Sequence, residues 1–306
     1  MKEKYMEILN ILDSSKVKFD EPMSKHTTLK IGGIADVLVV VESIEDIIST
    51  LNFAKEKNIN VTVIGNGSKL LVLDGGIRGI VMKIGPKFNS VEVSDEYITA
   101  MAGVTLPYLS GVAKKYSLTG LEFACGIPGA LGGAIYQNAG AYGSEMANVV
   151  EEVTYIDEQL NIHTVRVDEL QFGYRTSLFK QNSDKKNIVI SVKLKLQKGE
   201  IKEIEEKMEY NSKQRKEKQP LEYPSAGSTF KRPEGHFVGK LIDDAGLKGK
   251  RIGGAEISTK HSGFIVNVDN AKASDVVALI NLVKDEIYAK FNVKLQEEII
   301  IMGDEI

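Results

Sequence analysis

The chain has 306 residues, of which 42% are hydrophobic and 26% charged, a composition ordinary for a soluble globular protein of about two domains. This excludes a disordered chain, a collagen-like repeat and a small disulfide-stapled domain. The net charge of -3 gives no global positive field for holding nucleic acid, so any anion site must be local.

Cysteine usage and hydropathy indicate the compartment. Cys125 is the single cysteine, so an intrachain disulfide is impossible and a reducing compartment fits. The N-terminus lacks the continuous apolar run of a signal peptide. We find no stretch of about 18 uncharged apolar residues and therefore expect no transmembrane helix. These features together predict a cytoplasmic protein.

The first part of the chain shows helical and then α/β patterning. Apolar spacing predicts a helix over Met1–Ser14, with one stripe formed by Met6, Leu9 and Leu12. A strand is predicted at Asp36–Val41, and a helix with a capping-box-like start follows Ser43. A second strand is predicted at Val61–Ile64, and it leads directly into the glycine loop Gly65–Ser68. This order is typical of an α/β unit.

Short strands dominate the middle of the chain, together with a helix opened by Thr105. The strands are predicted at Val81–Ile84, Val91–Val93, Tyr97–Ala102, Val149–Ile156, Ile162–Val167 and Ile188–Leu196. A composition shift near residue 198 indicates a domain boundary. The remaining predicted elements are helices at Glu200–Lys218, Phe237–Ala245 and from Ser274, and strands at Gly263–Val268 and Val293–Met302.

Two glycine clusters are candidate ligand loops. Gly65–Ser68 follows a buried strand, and glycines there allow successive amides to turn inward around a phosphate. The loop matches neither the Rossmann nor the Walker A pattern, and a plain tight turn remains an equal alternative. The second cluster runs from Gly126 to Gly143 and permits close backbone approach to a ligand or a sharp packed bend. Two such loops suggest a long ligand with a diphosphate, such as a dinucleotide.

Several short motifs occur together in an order that resembles one known family. They are His26-Thr27-Thr28 with Ile31-Gly32-Gly33, Gly65-Asn66-Gly67-Ser68, Gly126-Ile127-Pro128-Gly129 through Asn138-Ala139-Gly140-Ala141, Tyr174-Arg175, Ala226 through Lys231, and Glu298. Over about residues 20–303 the chain resembles the bacterial UDP-N-acetylenolpyruvoylglucosamine reductases, known as MurB. Its length resembles the shorter subtype, which lacks an inserted loop over the substrate.

The resemblance implies an α+β fold of the vanillyl-alcohol-oxidase/PCMH type, with FAD held non-covalently and a C-terminal α+β substrate domain. The implied domains are FAD-binding subdomains at 1–84 and 85–198 and a substrate domain at 199–306. The implied enzyme is a UDP-N-acetylmuramate dehydrogenase. It uses NADPH, through FAD, to reduce UDP-N-acetylglucosamine enolpyruvate to UDP-N-acetylmuramate for peptidoglycan synthesis. It implies no metal, and the sequence leaves the oligomeric state open.

Three residues match the catalytic positions of the family. Arg175 resembles the active-site arginine, whose guanidinium suits a carboxylate and the charge that develops on it. Ser228 resembles the proton donor, although a serine at a turn or helix cap is the plainer interpretation without the resemblance. Glu298 resembles the C-terminal glutamate, and strand alternation puts Glu297 on the opposite face. The family pattern has a proline that this tail lacks, so a register one residue away stays open.

The resemblance also implies ligand-binding residues. For the flavin these are Gly65, Asn66, Gly67, Ser68, Gly126, Ile127, Gly129, Asn138, Ala139 and Gly140. Lys69 stands where the family usually has asparagine, and its ammonium is expected near a phosphate or facing water. For the sugar nucleotide the implied residues are Tyr174, Arg215, Lys218, Arg232 and Lys260. Without the resemblance, the plainer interpretation of Arg215 and Lys218 is that they are solvated residues at the end of a charged helix.

Two other functions remain open at this point. A flavin oxidase or dehydrogenase of the same fold, acting on an alcohol or hydroxy acid, would share the glycine loops without the set Arg175, Ser228 and Glu298. A non-catalytic nucleotide-binding protein would take up a UDP-sugar and remain colourless.

Overall fold

The computed structural model describes residues 3–306. The α-helices are α1 (Glu3–Met6), α2 (Ile44–Glu56), α3 (Leu106–Lys115), α4 (Leu131–Gln137), α5 (Leu178–Gln181), α6 (Ile201–Lys218), α7 (Val238–Asp244) and α8 (Ala273–Phe291). Turns of 3-10 helix lie at Glu7–Asn10, Ser14–Lys16, Met23–His26, Glu122–Ala124, Met146–Asn148 and Val167–Leu170. None of the helices within residues 3–306 has both the length and the apolar character needed to cross a bilayer.

The strands are mostly short. They are β1 (Val17–Pro22), β2 (Ile34–Val41), β3 (Val61–Ile64), β4 (Leu70–Val72), β5 (Ile77–Ile84), β6 (Val91–Ser94), β7 (Tyr97–Met101), β8 (Leu118–Thr119), β9 (Gly140–Ala141), β10 (Ser144–Glu145), β11 (Val150–Ile156), β12 (Ile162–Arg166), β13 (Ile188–Lys195), β14 (Gln197–Lys198), β15 (Ser225–Ser228), β16 (Arg251–Ile252), β17 (Ala255–Ile257), β18 (Phe264–Asn267) and β19 (Ile300–Met302).

The chain divides into two compact units. The first comprises Met1–Val17, Val39–Asn66 and Met82–Arg215, and the second comprises Lys18–Leu38, Gly67–Val81 and Lys216–Ile306. The chain passes from one unit to the other within β2 and within β5. The three-part division at residues 84 and 198 stays a prediction.

The first unit is built on an antiparallel sheet of order β12-β11-β13-β7-β6. Strand β13 alternates as expected, with Ile190, Val192 and Leu194 buried. Helix α4 packs against β13 and β7, and the glycines at its start allow that close approach: a Cβ on Gly132 would lie 3.0 Å from the Ala102 Cβ. The glycine-rich segment is therefore fixed to the sheet of this unit.

The second unit combines an antiparallel sheet of order β15-β18-β17-β16 with the parallel pair β4 and β19. Helix α8 packs on β16 and β17 through a buried stripe formed by Ala273, Val276, Leu279, Ile280, Val283 and Ile287. The Asp74 carboxylate accepts hydrogen bonds from the amides of Ala273 and Ser274, at 2.8 and 2.9 Å. This cap ties the loop after β4 to the first turn of α8.

Most predicted elements are present within a few residues of their expected bounds. Helix α2 begins after Ser43, whose hydroxyl accepts from the Asp46 amide at 3.2 Å, as its capping pattern predicted. The α+β class is also confirmed.

Two predictions about the chain ends are wrong in part. Met1 and Lys2 of the opening helix lie outside the described residues, and α1 ends at Met6, followed by a 3-10 turn. The buried residues there are Tyr5, Ile8 and Leu12, whereas Met6 is exposed, because the 3-10 turn after Met6 breaks the regular helical spacing that the predicted stripe assumed. The final strand, β19, begins at Ile300 and not at Val293, because the preceding residues follow α8 and make only an isolated bridge, between Glu297 and Phe230.

Candidate active site

In the second unit, Ser228 lies at the end of β15, paired with Phe264 of β18. The residue before it, Gly227, has a φ of +73°, a conformation that other residues rarely adopt, and the register of the two strands shifts between Ser225 and Ser228. Ser228 is half-buried, and its hydroxyl makes no hydrogen bond with any other residue in 3–306. The hydroxyl is therefore available to a ligand.

A buried carboxylate and an ammonium lie beside this serine. Glu298 is only 5% exposed, and its Oε1 lies 2.9 Å from Nζ of Lys69. The same Nζ donates to the backbone carbonyl of Ser228 at 2.9 Å. The Lys69 ammonium thus connects Glu298 with the peptide of Ser228, an arrangement that the sequence did not predict.

Backbone pairing fixes these three residues relative to one another. The parallel ladder of β4 and β19 begins with Leu70 opposite Ile300, and the Ile300 amide donates to the Lys69 carbonyl at 2.8 Å. The Glu298 amide donates to the carbonyl of Thr229, also at 2.8 Å. Since each of the three residues is next to a paired backbone segment, the side chains of Lys69 and Glu298 meet at the Ser228 peptide without depending on a flexible loop.

The neighbouring glutamate has a different partner. Glu297 forms an ion pair with Lys284 at 2.8 Å, with side chains 28% and 37% exposed. Burial alone would raise the pKa of Glu297, but the hydrogen bond and charge of Lys284, together with a backbone hydrogen bond, lower it below its ordinary value. Of the two adjacent carboxylates, only Glu298 contacts the lysine that holds the Ser228 peptide.

In the first unit, Arg175 occupies a tight turn closed by reciprocal hydrogen bonds between Gly173 and Thr176. Its φ of +56° is left-handed, which costs about 1 kcal/mol or more for a non-glycine residue and often marks a functional position. Its guanidinium donates to the carbonyl of Gly140 at 2.9 Å and lies 5.2 Å from the ring centroid of Tyr174, which is exposed. The turn therefore holds Arg175 against the second glycine cluster.

Further tethers join the same two segments. Asn138 is fully buried, and its side chain donates to the Gly173 carbonyl and accepts from the Ala147 amide, both at 3.0 Å. The Ser177 hydroxyl donates to the carbonyl of Tyr136 at 2.8 Å. The side chain of Asn138 is thus used within the protein, so contact with a flavin would have to come through its backbone.

Within the first unit, Gly65, at the start of the first glycine loop, lies near the second glycine cluster. A Cβ on Gly65 would lie 3.6 Å from that of Ala130. In the first loop, the amides of Asn66, Gly67 and Ser68 donate to no acceptor within residues 3–306, although Gly67 is buried and left-handed, with a φ of +64°. Consecutive amides without protein acceptors are what a bound phosphate requires.

The other predicted flavin residues belong to the second cluster. The Ile127 amide donates to Ala124, the Gly129 carbonyl accepts from Leu106, and the Ala139 amide donates to Ala134. The Gly126 carbonyl accepts from the guanidinium of Arg215. Burial lowers the pKa of Arg215, an effect that Tyr142 and Cys125 oppose. Within the first unit, Arg215 therefore supports the glycine cluster.

Three predicted substrate residues lie in the second unit. Lys218 is exposed at the last residue of α6. Lys260, on the loop between β17 and β18, donates to the carbonyl of Lys216 at 2.8 Å and lies 3.8 Å from Glu222. Arg232 is exposed and lies 3.9 Å from the ring centroid of Phe237. These side chains provide positive charge on the surface of this unit.

Sequence reasoning missed two features of these sites. It left Lys69 facing a phosphate or water, and no local signal in the sequence points to its partner, Glu298, which is distant along the chain. It also gave Asn138 to the cofactor, although a buried left-handed asparagine often bonds to nearby backbone.

Comparison with known proteins identifies the family. Residues 219–302 match the model "UDP-N-acetylenolpyruvoylglucosamine reductase, C-terminal domain", and residues 35–166 match "FAD binding domain". The UDP-N-acetylenolpyruvoylglucosamine reductase of Clostridioides difficile (strain 630) is 45% identical over 98% of both chains. The chain belongs to the UDP-N-acetylenolpyruvoylglucosamine reductase family.

Other members of this reductase family agree in sequence and structure. The reductase of Caldanaerobacter subterraneus subsp. tengcongensis is 49% identical over 96% of each chain. The crystal structure of the MurB reductase from Thermus caldophilus matches with a TM-score of 0.80 and 36% identity, covering 92% of this chain and 98% of that one. The predicted vanillyl-alcohol-oxidase/PCMH-type FAD-binding fold with a C-terminal α+β domain is confirmed.

Proposed function

We propose that this protein reduces UDP-N-acetylenolpyruvoylglucosamine to UDP-N-acetylmuramate, with NADPH as reductant and FAD as non-covalent cofactor. Similarity to named reductases over nearly the whole chain carries the proposal. The product is a peptidoglycan precursor, and we place the reaction in the cytoplasm. Neither nucleic acid nor membrane insertion is part of this function.

The glycine loops fit a dinucleotide cofactor. A diphosphate needs hydrogen-bond donors, and the amides of Asn66, Gly67 and Ser68, which have no acceptor within residues 3–306, can supply them. The backbone of the second cluster, Gly126 to Gly140, provides the remaining flavin contacts in this proposal. When bound, FAD passes hydride from NADPH to the substrate.

The substrate chemistry determines the roles of three side chains. Hydride addition to the terminal alkene carbon leaves negative charge on the neighbouring carbon and its carboxylate. The guanidinium of Arg175 stabilises that charge through a bidentate contact. The hydroxyl of Ser228 gives its proton to this carbon, and Glu298 supports the hydroxyl. Two observations support this assignment: the Ser228 hydroxyl has no hydrogen-bond partner within residues 3–306, and Lys69 connects the Ser228 peptide with the buried Glu298 carboxylate.

Cations outside these three residues suit the diphosphate of the sugar nucleotide. Lys218, Arg232 and Lys260 supply positive charge in the second unit, and Tyr174 offers an exposed ring and hydroxyl. Arg215, by contrast, contributes through the Gly126 carbonyl that it contacts. A chain with a net charge of -3 needs such local cations to bind an anionic ligand.

The test separates the two half-reactions. The purified protein should be yellow, NADPH should bleach its flavin absorbance, and UDP-N-acetylenolpyruvoylglucosamine should restore it under anaerobic conditions. In Ser228→Ala, bleaching by NADPH should persist while reoxidation by the substrate slows by several orders of magnitude. A colourless protein, or a wild-type enzyme that the substrate does not reoxidise, contradicts the function. Rapid reoxidation of Ser228→Ala contradicts the role of the serine.

A further inference from the structure

Lys69 contacts the side chain of one residue proposed to handle the substrate proton, Glu298, and the backbone of the other, Ser228. Its Nζ is 2.9 Å from a carboxylate oxygen of Glu298 and 2.9 Å from the carbonyl oxygen of Ser228. The Lys69 side chain is 26% exposed and that of Glu298 only 6%. The ammonium therefore provides positive charge next to a carboxylate that has little access to water.

The position of Lys69 follows from the backbone and not from a chance rotamer. Its carbonyl accepts the Ile300 amide at the start of the parallel ladder, while Glu298 is hydrogen-bonded to Thr229, next to Ser228. A Cβ built on Gly227 would lie 3.4 Å from Nζ, so the ammonium also packs against the turn that orients Ser228. The glycine at 227 leaves room for this contact.

We infer that Lys69 is a positioning residue for proton transfer: its ammonium holds the Glu298 carboxylate and the Ser228 peptide together and offsets the charge that forms at the serine. The inference rests on the proposed function. In the step concerned, the O–H bond of Ser228 breaks and a C–H bond forms at the carboxylate-bearing carbon of the substrate. The electron pair stays on Oγ, and solvent water returns the proton.

The physical reason is repulsion between two anions. As the proton leaves Ser228, negative charge appears on the same residue whose peptide Lys69 joins to the Glu298 carboxylate, and like charges in a partly desolvated site oppose each other. The Lys69 ammonium, paired with the carboxylate and bonded to the serine peptide, reduces this repulsion. A neutral amide or methyl group at position 69 could fill the space but would remove this positive charge.

The test compares neutral and charged replacements in single-turnover experiments. Enzyme reduced by NADPH is mixed anaerobically with UDP-N-acetylenolpyruvoylglucosamine, and flavin reoxidation is followed. We expect Lys69→Met and Lys69→Asn to be slower by about 10- to 100-fold, and Lys69→Arg to stay within about 5-fold of wild type. Reduction by NADPH should be unchanged in all three. Lys284→Met is the matched control, because it removes the partner of Glu297 and should reoxidise at the wild-type rate.

Two further measurements distinguish positioning from general damage. If Lys69 acts through Glu298, Lys69→Met combined with Glu298→Gln should be no slower than Glu298→Gln alone. Urea unfolding of the flavin-loaded proteins, at equal flavin content, should show coupling between the same two substitutions, which tests the contact without activity. Lys69→Asn and Lys69→Arg keep the comparison available if Lys69→Met does not fold.

The outcomes separate this inference from the function itself. If the wild-type enzyme turns over and Lys69→Met and Lys69→Asn reoxidise as fast as it does, the role of Lys69 is overturned and the proposed function is not affected. The role of Lys69 is also overturned if the double variant is slowed by the product of the two single-variant effects. A wild-type enzyme that the substrate cannot reoxidise overturns both proposals.

Discussion

Replacing each of the two adjacent glutamates tests which of them serves the reaction. Glu298→Gln keeps the size of a side chain that is 5% exposed but removes its charge from the contact with Lys69. Breaking a fully buried pair costs about 3–5 kcal/mol, and because the Lys69 side chain is 26% exposed, we expect a loss of about 1–3 kcal/mol in unfolding free energy. Glu297→Gln removes a more exposed pair and should cost about 0–1 kcal/mol.

The kinetic difference should be larger than the difference in stability. Loss of a group that takes part in proton transfer typically slows a reaction by about 10²- to 10⁴-fold, which corresponds to about 3–5 kcal/mol in activation free energy. We expect this loss in substrate-driven reoxidation of Glu298→Gln, with a normal rate of flavin reduction by NADPH. Glu297→Gln should remain within about 2-fold of wild type, as surface substitutions generally do.

Stopped-flow absorbance at the flavin band and urea unfolding of both variants provide these values. The assignment of Glu298 is refuted if Glu297→Gln is the slower enzyme. It is also refuted if Glu298→Gln reoxidises at the wild-type rate while remaining folded and yellow.

Three other substitutions test the framework. Gly67→Ala places a Cβ against the carbonyl oxygen of His26 at a left-handed φ, so urea unfolding should show a loss of at least about 1–2 kcal/mol, and the purified variant should carry less flavin. Asn138→Ala leaves the Ala147 amide without its acceptor and removes one of the two hydrogen bonds to the Gly173 carbonyl, so its unfolding free energy should fall by about 1–3 kcal/mol; an unchanged value would contradict the tether. Asp74→Ala removes the cap of α8 and should cost about 1–2 kcal/mol at neutral pH. Burial alone would raise the pKa of Asp74, but the amides of Ser274 and Ala273 lower it below its usual 3.8. The stabilisation is therefore complete above the unfolded value and is lost as the pH falls through the lower folded value, so the variant and the wild type should converge in acid.

Local patterns in the sequence predicted those elements whose stability depends on nearby residues. The alternation along β13 and the Ser43 cap of α2 both involve interactions within a few residues, and both are present. The tail after α8 was assigned as one long strand because its apolar residues suit a strand. The ladder exists only where β4 is available as a partner, and β4 is three residues long, so β19 is equally short. Strand length was thus set by a distant segment.

The difference between local and long-range interactions also explains which site residues the sequence indicated. Motif order indicated Ser228, Glu298 and Arg175, but it gave no information about Lys69, whose partner is 229 residues away in sequence. That contact depends on pairing between the chain after the first glycine loop and the C-terminal segment. The orientation of Glu298, in contrast with Glu297, likewise depends on which lysine each carboxylate meets. Neither fact is encoded in local periodicity.

The backbone directly connects the first glycine loop, proposed to hold the cofactor, with Lys69, proposed to position the groups that transfer the proton. Ser68, whose amide has no acceptor within residues 3–306, directly precedes Lys69, whose ammonium holds Glu298 and whose carbonyl begins the ladder with β19. A shift of this loop would therefore move the Lys69 backbone as well. Because catalytic groups lose activity when displaced by about 1 Å, the loop must be rigid for both purposes. The buried, left-handed Gly67, which has no space for a side chain, meets that requirement.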